Sequence, residues 1–191
     1  YDLKSGRITV DGADVSEVTL DSLRSEVGVM MQDSFIFSGT VMDNIRFSAP
    51  EKSDEECIEA AKKVFAHDFI KRLPDGYYTK INEACSLSGG ERQLLSFARL
   101  ILSDPKILIL DEATSHIDTH TEKLIQDSIA VLLKGRTSFV IAHRLSTIRK
   151  ADNIVFIDDK NIVESGTHEQ LMQLKGRYYR LLQKSADSDN A

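Results

Sequence analysis

Two apolar patterns alternate along these 191 residues. The first is the short unbroken run. Residues 107–110, Ile-Leu-Ile-Leu, follow Lys106 and end in Asp111-Glu112. Such a run predicts a strand buried on both faces, as in a parallel sheet. Residues 27–31, apolar apart from Gly28, and residues 137–142 read the same way. The second pattern has helical spacing. Over 88–102, Leu94, Ala98 and Ile101 share one face, with Leu95 and Leu102 beside them. Over 54–66, Ile58, Ala61 and Phe65 do the same, and Ser53 with Glu56 three residues on forms a capping box. Residues 119–133 place Leu124, Ile125, Ile129 and Leu132 together. Shorter helices are predicted at 20–25 and 67–72, with His67 as a capping residue and His168 at the start of a late helix. Asp104-Pro105, Pro74-Asp75-Gly76 and Gly135 stop the helices they follow. A strand at 7–10 runs into the tight turn Asp11-Gly12. Strands at 153–157 and 161–164 flank Asp158-Asp159-Lys160. The alternation predicts an α/β fold around a parallel sheet, interrupted by a mostly helical stretch at 41–103. The polar residues 185–191 read as a disordered tail.

Two places in this pattern carry chemistry. Ser88 is a good helix N-cap, and Gly89 and Gly90 let the backbone approach a ligand closely. Free N–H groups at a helix start favour an anion such as phosphate. The run at 107–110 delivers Asp111 and Glu112 to the carboxyl end of a strand, where open α/β sheets bind ligands. Two carboxylates there can hold a metal and act as a base. Taken singly, Ser-Gly-Gly can be a plain turn and Asp-Glu a solvated strand end. Gln32, at the end of 27–31, can be a surface amide, and His143, just after 137–142, a structural histidine.

Composition narrows the field. An apolar share of 41% and a charged share of 28% are ordinary for a globular protein with a sizeable core. A net charge of −6 argues against non-specific nucleic-acid binding, which wants a basic face. No apolar run approaches the roughly 18 residues of a membrane span. Cys57 and Cys85, with no CxxC spacing, do not suggest a disulfide framework and fit a reducing compartment.

Taken together and in order, these residues resemble a known family. Residues 87–93, LSGGERQ, then 108–115, LILDEATS, then Asp118, resemble the signature motif, Walker B and D-loop of an ABC-type ATPase. Residues 27–45 resemble the Q-loop region of ABC exporters with fused membrane domains, and 141–147 the segment around the family's switch histidine. The resemblance covers essentially residues 1–184 and implies a P-loop NTPase-like parallel core with an inserted helical subdomain at 41–103. It implies ATP and Mg²⁺ as cofactors. Glu112 would be the general base, with His143 and Gln32 sensing the γ-phosphate. Asp111 and Gln32 would hold Mg²⁺, partly through water. Leu87, Ser88, Gly89, Gly90, Glu91 and Asp118 would contact nucleotide. The implied partners are a second ATPase domain, closing on two ATPs, and the exporter's transmembrane domain, met by residues 32–37 and by Glu83. The implied place is the cytoplasmic face of the cell membrane.

The sequence departs from that family twice. Residues 82–87 read Asn-Glu-Ala-Cys-Ser-Leu where exporters of this type commonly carry two glycines before the signature, and the loop is one residue shorter. No G-x-x-x-x-G-K-[ST] occurs, and none of the ten glycines is followed by Lys. The P-loop supplies the phosphate cradle, its Lys and a hydroxyl for Mg²⁺. The resemblance places it just before Tyr1, so the chain is expected to be inactive alone and to expose apolar surface of core size. Two other functions remain. A soluble ATPase of this type in DNA repair or translation would carry long coiled-coil insertions or tandem domains, and neither appears. A non-catalytic interaction module is favoured for these residues alone by the missing P-loop.

Overall fold

The computed structural model describes residues 3, 5–31, 34–81, 86–112, 118–142 and 148–188, with the side chains of 112, 142 and 184–188 left aside. The chain forms two compact units, Tyr1–Ile141 and Ala142–Ala191.

The first unit opens with a hairpin, β1 (Thr9–Val10) and β2 (Ala13–Asp14). Its turn puts both Asp11 (φ 49°) and Gly12 (φ 86°) in the left-handed region. Helix α1 (Leu20–Glu26), capped by Thr19, leads into β3 (Val27–Met30). Next come β4 (Gly39–Thr40), α2 (Val41–Arg46), α3 (Asp54–Lys63), α4 (His67–Arg72) and β5 (Lys80–Ile81), which pairs with β4. Helix α5 (Gly89–Ser103), β6 (Ile107–Glu112), α6 (Thr119–Leu133) and β7 (Thr137–Ala142) follow. The sheet runs in the order β3-β6-β7. β3 and β6 are parallel, with Val27 opposite Ile107 and Met30 opposite Leu110.

Helix α5 is the central packing element. Its predicted apolar face is too narrow a description, because α2, α3 and α6 surround it. Gln93, Leu94, Leu95, Ser96, Phe97, Ala98, Leu100 and Leu102 are all buried. It stops at Asp104, which is left-handed at φ 44°, and Pro105 follows. Arg136 secures this corner by donating to Pro105 O (2.9 Å), Leu132 O (2.6 Å) and Asp104 Oδ1 (2.5 Å). Gly28 is required where β3 passes beneath: a Cβ there would lie 2.6 Å from Pro105 Cγ and 2.9 Å from Leu100 Cδ2.

The expectation that the strands are buried on both faces fails. Leu108 and Leu110 are buried, but Val29 is 52% exposed, Phe139 62% and Ile141 56%. Successive strand residues point to opposite faces, so one face of the sheet is packed and the other lies open. Val29, Phe139 and Ile141 are the apolar residues this open face shows. Phe65 also departs from its expected place on the α3 face. The helix ends at Lys63, Phe65 turns left-handed (φ 58°) and is 41% exposed, and Val64 is buried instead. His67 caps nothing. It is the first residue of α4, and its Nδ1 lies 2.8 Å from the Tyr77 hydroxyl. Burial pushes the Tyr77 phenol up to about 12.

In the second unit, β8 (Ile154–Asp158) and β9 (Asn161–Gly166) form an antiparallel hairpin. Asp159 and Lys160 both have positive φ, which makes the tight turn. Helices α7 (His168–Leu174) and α8 (Arg177–Ser188) close a small core of Leu171, Tyr178 and Leu182. Thr167 and Gln170 form a capping box on α7, and His168 is its first residue, as expected. Glu164 accepts from the N–H groups of Arg177 and Tyr178, which fixes the start of α8. That helix continues to Ser188, so 185–188 are helical where a disordered tail was expected. Packing of Tyr178 and Leu182 in the small core outweighs the polar composition.

Candidate functional site

The start of α5 is built by local sequence. Ser88 has an extended backbone (φ −62°, ψ 164°) and accepts from Glu91 N, while Glu91 accepts from Ser88 N (2.8 Å). This reciprocal cap satisfies Glu91 N and Ser88 N. The N–H groups of Gly89 and Gly90 belong to the orphan donors of a helix start. Gly89 is exposed, and a Cβ there would meet nothing nearer than Arg92 Nη2 at 3.9 Å. Leu87 is buried, and its carbonyl accepts from Arg92 Nη1 (2.6 Å), which holds the approach to the turn. The Ser88 hydroxyl accepts with one lone pair, leaving its proton for an outside acceptor. Exposed Gly89, the Ser88 hydroxyl and the positive end of a 15-residue helix fit a phosphate, with Gly90 buried behind them.

The second part is the carboxyl end of the sheet. The register of β3 and β6 brings the residues after Met30 and after Leu110 to one edge. Asp111 and Glu112 are the last residues of β6, and Asp111 is half-buried. β7 sets out beside β6, since Thr137 N donates to Lys106 O (3.0 Å). Hard carboxylate oxygens suit Mg²⁺, which binds one or two carboxylates and completes its shell with phosphate and water. Among the described residues no three metal-ligating side chains cluster.

Asp118 has a local role that the motif does not disclose. Its Oδ1 accepts from Thr121 N (3.0 Å) and His120 N (3.1 Å), capping α6. These hydrogen bonds, led by that from Thr121, hold its carboxyl below the usual aspartate range. Of the predicted site residues, Leu87, Ser88, Gly89, Gly90 and Glu91 thus lie together at one helix start. Asp111 and Glu112 lie at the strand end, and Asp118 at the next helix start. Gln32, Glu83 and His143 lie outside the described residues.

Sequence reasoning missed a polar knot beside this site. Asn44 is 1% exposed. It accepts from Phe37 N (2.8 Å) and donates to Phe37 O and Thr40 O (2.9 Å each). Arg99, on α5, donates to Asn44 O (2.9 Å), Asn44 Oδ1 (3.3 Å) and Phe35 O (3.3 Å). Its guanidinium lies 5.0 Å from the Phe37 ring centroid and 5.7 Å from that of Phe47, and these two rings stack at 3.6 Å. The signal was present: an arginine between Ala98 and Leu100 on a buried helix has to find partners.

A family profile described as ABC transporter matches residues 1–115. Among curated relatives, the "Uncharacterized ABC transporter ATP-binding protein YknV" of Bacillus subtilis (strain 168) is 51% identical over 183 residues. That match covers 95% of this chain and 30% of the relative. A "Putative multidrug export ATP-binding/permease protein" of Staphylococcus aureus (strain NCTC 8325 / PS 47) is 49% identical, over 95% of this chain and 32% of that one. Among solved structures, a bacterial Atm1-family ABC exporter with ATP bound superposes with a TM-score of 0.88 at 41% identity. It covers 97% of this chain and 33% of its own. The chain thus spans about a third of the length of these relatives.

Proposed function

Because the chain belongs to the ABC transporter family, we propose that it is the ATP-binding, ATP-hydrolysing motor of a membrane exporter. It works as a dimer with a second ATPase domain, at the cytoplasmic face of the membrane. The observation that carries this reading is the reciprocal Ser88–Glu91 cap, which leaves the exposed Gly89 and the Ser88 hydroxyl proton free for an outside acceptor at the start of α5. The relatives' printed names, which speak of ATP binding and export, support it.

In this reading residues 1–184 form the ATPase domain and 41–103 its helical subdomain. Ser88, Gly89 and Gly90 donate to phosphate oxygens of a nucleotide held mainly by the partner domain, flanked by Leu87, Glu91 and Asp118. Asp111 and Gln32 would hold Mg²⁺, which would supply neutralising charge for the phosphate. Glu112 accepts the proton of the attacking water, His143 hydrogen-bonds the γ-phosphate and orients that base, and Gln32 reaches the water. The protein's contribution is mostly positioning and charge stabilisation. Residues 32–37 and Glu83 meet the transmembrane domain. The sequence holds no G-x-x-x-x-G-K-[ST], and in this reading another segment supplies the phosphate cradle.

Calorimetric titration tests this. The isolated chain should show no saturable MgATP binding up to millimolar concentration, whereas the full-length protein should bind and hydrolyse it. Micromolar binding by the isolated chain, or no ATPase activity in the full-length protein, contradicts the reading.

A further inference from the structure

The motor reading needs the start of α5 and the 35–37 segment to respond together, and the Asn44–Arg99 knot joins them physically. Arg99 lies three turns along α5, about 16 Å from Ser88 at 1.5 Å per residue. A helix buried nearly all round has little freedom to bend between those points. From that rigid rod the planar guanidinium reaches across to Asn44, whose side chain grips both backbone polar groups of Phe37. Its third contact is the Phe35 carbonyl. Among the described residues Arg99 has no carboxylate partner, and burial holds its guanidinium below the usual arginine range. A buried cation without a counter-ion is costly unless its donors are used. Here they are spent on the backbone of one segment, with Phe37 and Phe47 packed against the fork. Outward, that segment shows Phe35, 67% exposed, beside Phe47, 56% exposed, a surface suited to an apolar partner.

We infer that Arg99 is a positioning residue that makes the nucleotide-contacting start of α5 and the Phe35–Phe37 segment move as one body. This rests on the nucleotide reading of Ser88. Lysine cannot replace the fork, since it offers a point charge and no fixed pair of donors.

Hydrogen exchange of the full-length protein, with and without a non-hydrolysable ATP analogue and Mg²⁺, tests it. In the wild type, exchange should slow on nucleotide binding both at 88–92 and at 35–37. In Arg99→Lys the response at 88–92 should persist and that at 35–37 should drop by about fivefold or more, the scale of a typical coupling. A merely structural Arg99 would change basal exchange and leave both responses in place, which overturns the inference. A wild type that responds at 88–92 alone also overturns it. A wild type responding at neither place sinks the nucleotide reading instead. Should Arg99→Lys fail to fold, Phe47→Leu serves, because that ring is largely exposed and packs on the fork. An undiminished response at 35–37 in Phe47→Leu would overturn the inference.

Discussion

Replacing Asn44 by Leu should cost this chain much of its stability, although leucine keeps the same branched shape in a buried site. Four hydrogen bonds go: from Phe37 N, to Phe37 O, to Thr40 O, and from Arg99 Nη2. They are not equal. Thr40 is the N-cap of α2, so its carbonyl keeps the first intrahelical bond. Arg99 keeps the Asn44 carbonyl at 2.9 Å. The N–H and C=O of Phe37 are the groups left without a partner. An orphaned buried polar group costs about 1–3 kcal/mol, and the partial burial of these two favours the lower half, so the sum is about 3 kcal/mol. For a chain of this size each kcal/mol moves the midpoint by about 2–4 °C, giving a fall of about 6–12 °C. Thermal unfolding followed by circular dichroism reads it. Asn44→Asp, which still accepts from Phe37 N but cannot donate to Phe37 O, should fall between. A loss in Asn44→Leu below about 1 kcal/mol would refute the reasoning, because water would then be satisfying Phe37.

Gly28→Ala should destabilise by about 1–3 kcal/mol in urea unfolding, since its Cβ overpacks a stiff proline ring; a neutral result would mean the corner at Pro105 yields freely. On the acid side, hydrogen bonds from Arg136 and from Thr121 N hold the Asp104 and Asp118 carboxyls below their ordinary value. Folded values below the unfolded one, about 3.9, mean that this stability is present above about pH 4 and fades as pH falls through the folded values. Asp104→Asn should therefore flatten the fall of the midpoint below pH 4, and an unchanged acid limb would remove Asp104 from it. Glu112→Gln in the full-length protein should abolish steady-state phosphate release while ATP binding persists; turnover near the wild-type rate would show that Glu112 is not the base.

Much of the fold is legible because its causes are local. The caps at Ser53 and Ser88 follow from a hydroxyl placed just before a helical apolar pattern, and the folded chain uses both. The run at 107–110 announces β6 by its apolar density alone. What the sequence hides is what arrives from elsewhere in the chain. Phe139 and Ile141 look like core residues, yet no described element covers that face. Phe65 fits a helical face, but the chain leaves the helix two residues earlier. Asn44 and Arg99 are 55 residues apart and meet only after α2 packs on α5. At the site, Ser88, Gly89 and Gly90 are readable as an anion-binding helix start, whereas the double hold on the Asp118 carboxylate as a cap is not read from the motif.

In the proposed motor, the Ser88–Gly90 turn contacts nucleotide held by another domain. Gly89→Asp tests it: Gly89 is exposed with open space around it, and a carboxylate placed where a phosphate must approach repels it by several kcal/mol in a partly desolvated site, about tenfold in affinity per 1.4 kcal/mol. An acid in the first turn suits the helix dipole, so α5 itself should still form. The measurement is a pair made on the full-length protein: ATP affinity in the open state, and ATP-driven association of the ATPase domains followed by a distance label across them. Affinity unchanged with association lost is the predicted result. Affinity lost with association intact would contradict the account.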